Sequence, residues 1–400
     1  MYTMKILPVL MVGLLIVSVM LMGSVTSAER VKAIVVFKDK VQDSDVKALV
    51  EQGGIVDKKL DIINGVSVEL PRQVFDKIDH AAKHGAESKV KFIEIDQEVH
   101  ILKVDPSKVK PTATPTATPT PALQVTPWGI QAVNADDVSI DGSGVKVAVV
   151  DTGIDYTHPD LAGKVIGGCS FVRYTKSYKD DNGHGTHVAG TIAAVNNNIG
   201  VVGVAPGASL LAVKVLDRSG SGYLSNVISG IQWSVTNGAQ VISMSLGSSS
   251  DSQALHDAVD AANAGSVVVV VAAGNDGGAV SYPAAYDSVI AVSAVDESLT
   301  KASWSNFGTE VDLAAPGVNV YSTYKGSYAY LSGTSMACPH VSGVVALVLT
   351  TAPGKYDKTG DGWDPGEVKQ KLYDTARDLG STGKDNYYGY GLVDALKAVS

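Results

Sequence analysis

Residues 266–277 read SVVVVVAAGNDG, and this stretch decides the fold. Valine in unbroken succession leaves no polar face, so a strand here must be covered on both sides. Such a strand belongs in a parallel sheet with helices above and below it. Similar β-branched runs occur at VKVAVV (145–150), LLAVKVL (210–216), QVISMSL (240–246) and SVIAVSA (288–294). Interspersed are helix-like stretches, HGTHVAGTIAAV (184–195), YLSNVISGIQWSVTN (223–237) and SQALHDAVDAANA (252–264). The alternation predicts an α/β unit from residue 123 to 400, with a mostly parallel central sheet and helices on both faces. Functional groups in such a sheet gather at the carboxyl ends of its strands.

Upstream, residues 29–102 read as a small separate α+β unit. VKAIVVF, IVDKKL, GVSVELP and VKFIEIDQEVHIL are strand-like. SDVKALVEQGG, with Ser44 as its cap, and RQVFDKIDHAAKHG are helix-like. Asn64-Gly65 between the second and third strands is a hairpin signal. The order β-α-β-β-α-β is the split ferredoxin-like pattern. Residues 103–122, with their repeated Thr-Pro, make an extended linker; its threonines either carry sugars or form a bare spacer. Residues 1–28 read as a secretory signal: Lys5, an apolar run from Ile6 to Met22, then Thr26-Ser27-Ala28 for cleavage. The alternative is an uncleaved anchor.

The chain has 400 residues and a net charge of −9, which argues against nucleic-acid binding. Export permits disulfides, but the only cysteines are Cys169 and Cys338. The sequence does not say whether they pair; beside an apolar helix, Cys338 reads as a buried free thiol.

The polar residues at strand ends and helix starts carry the chemistry. Asp151 follows a buried strand, where a charged carboxylate must be paired; Asp155 reads as a local turn or surface residue. His184 and His187 open a small-residue helix but lack the glutamate of an HExxH metal site. His184 reads as a base and His187 as a hydrogen-bonded structural partner. Asn275, at the end of the valine strand, can aim its amide into a cleft. Ser335 lies at the mouth of an apolar helix with Pro339 in its first turn, near unpaired N–H groups. Each of these has a bland reading as a turn, a cap or a core residue. Together they occur in the order Asp, His, Ser.

VVDTGID (149–155), NGHGTHVAG (182–190), AAGND (272–276) and GTSMACPHVSG (333–343) resemble the motifs of the subtilisin-like serine proteases. The resemblance covers residues 123–400. It implies that Ser335 attacks a peptide carbonyl, His184 moves the proton, Asp151 orients the imidazole, and Asn275 with the Ser335 amide binds the oxyanion. It implies a substrate strand between Ser219, Gly220, Ser221 and Gly222 on one side and Ser245, Leu246 and Gly247 on the other. Leu246, Ala272, Ala273 and Gly274 would line an apolar pocket for the residue before the cut. It further implies calcium held by Gln124, Asp160 and Asn197 with the carbonyls of Val195, Ile199 and Val201.

A second loop, DKTGDGWDPGE (357–367), starts like an EF-hand with Asp357, Thr359, Asp361 and Gly362. Its twelfth position is Val368, with Glu367 adjacent, so calcium loop and acidic turn both stand. Residues 29–102 resemble the family's inhibitory propeptide, a folding scaffold and inhibitor whose tail would enter the active site and be cut after Leu102. The new N-terminus would lie between Lys103 and about Leu123. The expected product is a secreted, monomeric endopeptidase with protein and peptide substrates. No position of the triad is broken, which opposes a purely binding relative. The GxSxG elbow with Ser before Asp and His is absent, which opposes an esterase of that type.

Overall fold

The computed structural model describes residues 29–85, 88–104, 123–358 and 360–400. Residues 1–28, read as a signal, Thr359, and all but the first two residues of the stretch 103–122, read as a linker, lie outside them.

The N-terminal unit contains β1 (Arg30–Phe37), α1 (Asp43–Glu51), β2 (Ile55–Leu60), β3 (Gly65–Pro71), α2 (Arg72–His84) and β4 (Val90–Ile95). Its sheet has the order β2-β3-β1-β4 with all neighbours antiparallel, as the ferredoxin-like pattern requires. Two expectations change. The α1 cap is Gln42 rather than Ser44, with the Gln42 N–H donating to Asp45 Oδ2 at 2.9 Å. The last strand is two strands, β4 and then β5 (Glu98–Ile101). The break falls at Asp96, whose carboxylate accepts from Ser225 N at 2.9 Å and Ser225 Oγ at 2.7 Å and so ties the chain to the C-terminal unit.

From Ala33 to Phe37 β1 is apolar and buried, because both faces of that part are covered. Ala33, Val35 and Phe37 point into the unit's own core, while Ile34 and Val36 join the core of the C-terminal unit. Burying each of the valines, the isoleucine and the phenylalanine is worth about 1.5–3 kcal/mol.

The C-terminal unit runs α3 (Trp128–Ala132), β6 (Lys146–Asp151), β7 (Val165–Ser170), α4 (His184–Ala193), β8 (Ser209–Lys214), β9 (Ser221–Tyr223) and α5 (Leu224–Thr236). It continues with β10 (Val241–Met244), β11 (Leu246–Gly247), α6 (Gln253–Ala264), β12 (Val268–Ala272), β13 (Ile290–Val295) and β14 (Leu313–Pro316). The hairpin β15 (Val320–Tyr324) and β16 (Ser327–Leu331), then α7 (Thr334–Val348), α8 (Pro365–Thr375) and α9 (Ala395–Val399), complete it.

The central sheet is parallel throughout, in the order β14-β13-β12-β10-β6-β8-β7. Alternate valines face opposite layers. Val147, Val149, Val268 and Val270 pack with α4 and α7, whereas Val150, Val269 and Val271 pack with α5 and α6. That division explains why every residue of β12 is buried. The N-terminal unit docks over α5 and α6, and β5 leaves it to lie between β9 and β11.

Candidate active site

Asp151 ends β6, His184 begins α4, Asn275 follows β12, and Ser335 is the second residue of α7. All four are buried. Strand ends and helix starts on one side of the sheet therefore bring together residues far apart in sequence.

His184 Nδ1 lies 2.8 Å from Asp151 Oδ1 and 3.0 Å from Oδ2. A carboxylate only accepts, so Nδ1 carries the proton and Nε2 presents its lone pair. That Nε2 has no hydrogen-bond partner. Burial alone pulls the His184 pKa down; the Asp151 carboxylate, by charge and hydrogen bond, and the charge of Asp180 outweigh it and raise the pKa overall. His187, also buried, sets Nε2 against the carbonyls of Val320 at 3.0 Å and Ala329 at 3.1 Å. Burial pushes its pKa down to about 3, which keeps the ring neutral. Asp155 is buried rather than at the surface; it binds Thr157 within its own turn and accepts from the Gly326 N–H in the distant β15–β16 turn.

The Ser335 hydroxyl is not hydrogen-bonded to His184; it donates to the Ser245 carbonyl at 3.2 Å. Ser245 Oγ in turn donates to the Ser335 carbonyl at 2.9 Å. The reason is Pro339, which lies inside α7 rather than in its first turn. Lacking an N–H, it leaves the carbonyl four residues back without its helical partner. Ser245 thus braces Ser335 from below, and it directly precedes β11. Cys338 and Cys169 are both free thiols. Cys338 Sγ donates to the Val270 carbonyl at 3.4 Å, and burial pushes its pKa up to about 11.

Asn275 Oδ1 accepts from Thr334 N and Thr334 Oγ1, both at 2.9 Å. A backbone N–H can only donate, so the amide orientation is fixed and the NH₂ faces outward. It donates to the carbonyl of Leu102 at 2.7 Å. Thr334 escaped the sequence reading, although it directly precedes the serine.

Leu102 is placed there by β5. Its neighbours pair antiparallel with both edges: Ile101 with Leu246, and His100 with Gly247 on one side and Ser221 on the other. Val99 pairs with Gly222, and Ile101 N donates to the Gly220 carbonyl at 2.9 Å. Ser219 lies outside this pairing and closes a turn on Asp217. Close approach explains two glycines: a Cβ on Gly220 would fall 2.7 Å from Ile101 Cδ1, and one on Gly247 3.1 Å from Leu102 Cδ2. Leu246, Ala272, Ala273 and Gly274 are buried beside these edges.

The six residues expected at a cation site form one connected set. Asp160 is fully buried; its Oδ1 accepts from Asn197 Nδ2 at 3.0 Å and its Oδ2 from Val201 N at 2.7 Å. Gln124 Nε2 donates to the carbonyls of Val195 at 2.9 Å and Val201 at 3.2 Å, and Ile199 N donates to Asn197 Oδ1 at 2.7 Å. Amide N–H groups thus bridge these oxygens, and with the Gln124 amide turned its oxygen would join them. The donor set of one buried carboxylate, amide oxygens and carbonyls fits calcium. Among the described residues, no three or more His, Cys, Asp or Glu side chains gather as a metal cluster.

In the second loop, Asp357 Oδ2 accepts from Gly362 N at 3.4 Å, while Thr359 is outside the described residues. Glu367 is taken by the capping box of α8, its Oε2 accepting from Asp364 N at 3.3 Å. Among the described residues, no helix is long and apolar enough to cross a membrane.

Residues 142–391 match the profile described as the Subtilase family. Over 280 residues, 69% of this chain and 99% of the relative, the chain is 52% identical to Subtilisin Savinase of Lederbergia lenta. It is 44% identical over 376 residues to the alkaline protease of Alkalihalobacillus alcalophilus, covering 92% of this chain and 88% of the relative. It is 51% identical over 280 residues to the thermostable alkaline protease of Halalkalibacterium halodurans, covering 69% and 74%.

Proposed function

The chain belongs to the subtilase family and is a serine endopeptidase; on that premise we propose that it is made as a secreted, self-inhibited precursor that cuts itself after Leu102. Residues 1–28 are the signal, 29–102 the inhibitory propeptide, 103–122 the linker and 123–400 the catalytic domain. The observation that carries this reading is the Leu102 carbonyl on the Asn275 amide, with β5 held as a substrate-like strand.

In the reaction, the Ser335 hydroxyl turns from the Ser245 carbonyl to His184 Nε2. It then attacks the carbonyl carbon of the residue before the cut, and His184 takes its proton. Asp151 holds the tautomer and stabilises the imidazolium. The Asn275 NH₂ and the Ser335 backbone N–H receive the oxyanion. The tetrahedral adduct expels the amine, which takes the proton back from His184. Water then repeats the sequence on the acyl-enzyme and frees the acid.

Main-chain pairing along β9 and β11 makes selectivity broad. Leu102 against Gly247 favours a medium or large apolar residue before the cut. The propeptide is also suited to assist folding. A parallel sheet is rich in non-local pairings and forms slowly. Asp96 binds the start of α5, and Glu94 the start of α6 through Gln253 N at 3.1 Å.

Calcium at the Asp160 site ties the loop 195–201 to Gln124 and Asp160 and supplies stability rather than chemistry. A ligand at 100 times its Kd stabilises by about 2.7 kcal/mol, or roughly 5–10 °C in a domain of this size. Chelation is expected to lower the Tm by that order, and Asp160→Asn to abolish the difference. A Tm indifferent to both calcium and the substitution contradicts the site.

The reading is tested by mass spectrometry of the full-length chain after incubation with calcium. The first cut is expected between Leu102 and Lys103, and the released enzyme is expected to favour apolar residues before the cut in a peptide library. A first cut elsewhere, or a strict demand for Arg or Lys, contradicts it.

A further inference from the structure

We propose that Asp180 is a positioning residue for catalysis, locking the Asp151–His184 pair in register while holding a second negative charge near the imidazole. The proposal rests on the catalytic roles given above. Asp151 comes from β6 and His184 from α4, and something must fix one against the other. The joint is Thr152. Its N–H donates to Asp151 Oδ1 at 2.6 Å, its Oγ1 donates to Asp180 Oδ1 at 2.9 Å, and that same Oγ1 accepts from Gly185 N at 2.9 Å. Its carbonyl accepts from the fully buried Lys214 Nζ at 2.7 Å.

Asp180 grips the other side of the joint. Its Oδ1 also accepts from Asn182 N and Gly183 N, both at 2.9 Å, and its Oδ2 from Thr186 N at 3.0 Å and Thr186 Oγ1 at 2.6 Å. The carboxylate thus holds the backbone on both sides of His184 and the residue following Asp151.

A helix cap alone does not require this. A serine or asparagine caps as well as aspartate, and a buried charge carries a desolvation cost that a neutral cap avoids. Burial indeed pushes the Asp180 carboxyl above its ordinary value, against donors that favour the ionised form. The charge has a use beside a ring that must become cationic, and Asp180 raises the proton affinity of His184. The other groups around this cluster are Asp151 from β6, neutral His187 on α4, His340 from α7, Tyr324 from β15, and Lys214 from β8, which is ion-paired to Asp181 at 2.7 Å.

The test compares kcat, KM and the pH profile of kcat/KM for peptide hydrolysis. The enzymes are prepared from full-length unsubstituted, Asp180→Asn, Thr152→Val and Thr152→Ser chains after the Leu102 cut is complete, with Ser335→Ala as the inactive control. Asp180→Asn is expected to lower kcat about 10- to 100-fold, the scale of a small misplacement of reacting groups, with KM little changed. Its acid limb, which reports the imidazole, moves to lower pH because a negative charge is gone. Thr152→Val cuts the joint but keeps the charge, so kcat falls while the limb stays; Thr152→Ser keeps both.

A folded Asp180→Asn enzyme with an unmoved acid limb overturns the proposal whatever its rate, since loosened structure alone lowers the rate without moving the limb. If Asp180→Asn does not fold, the Thr152 pair decides, and equal kcat for Val and Ser overturns it. Failure of the catalytic reading itself looks different: the unsubstituted chain is then inactive, or Ser335→Ala is active.

Discussion

A Ser335→Ala chain stays whole at the Leu102–Lys103 bond, and its peptide hydrolysis falls on the order of 10⁶-fold in kcat, the scale set by removing the serine or the histidine from subtilisin. The nucleophile has no substitute nearby: Ser245 Oγ is engaged with the Ser335 carbonyl, and Thr334 Oγ1 with Asn275. The fold should survive, because the lost hydroxyl makes one long bond, to the Ser245 carbonyl at 3.2 Å. The uncut chain should therefore show an ordinary cooperative melt together with an intact mass. Normal processing of this chain in the absence of any added protease contradicts self-cleavage.

Asp151→Asn is expected to lower kcat about 10⁴-fold while leaving binding nearly intact, the magnitude known for the corresponding change in a serine protease of unrelated fold. The local geometry says why. Thr152 N–H donates to Oδ1 at 2.6 Å, so that atom must remain an acceptor. The new amide nitrogen is forced to the Oδ2 position, 3.0 Å from His184 Nδ1. An N–H at that position opposes an Nδ1 proton and can donate to an Nδ1 lone pair. Oδ1, 2.8 Å from Nδ1, is shared with the Thr152 N–H and has lost the carboxylate's charge. The balance shifts to the tautomer with its proton on Nε2, the nitrogen that should accept from Ser335. Steady-state kinetics on the folded variant check this. A loss under about tenfold, well short of the wrong-tautomer effect, means that the pair does not act as described.

The parallel sheet and the places of Asp151, His184, Asn275 and Ser335 were legible because each follows a local rule. Valine in succession can only be a doubly covered strand, and polar residues at strand ends sit at the mouth of the sheet. What was not legible depends on distant partners. Nothing local splits VKFIEIDQEVHIL; the split follows from Ser225 reaching Asp96 and from two edges, 221–223 and 246–247, that accept β5. The brace of Ser245 under Ser335 depends on a proline whose place within α7 was misjudged by part of a turn. Nothing local singles out Asp180, because its worth comes from Thr152, remote in sequence and adjacent in space.

The most direct measurement is active-site labelling. The full-length chain is allowed to process itself, treated with a fluorophosphonate, digested and mapped by mass spectrometry. The account predicts a single adduct on the hydroxyl of Ser335, absent from a His184→Ala chain. An enzyme that hydrolyses peptides yet carries its adduct on another residue, or none on Ser335, contradicts it.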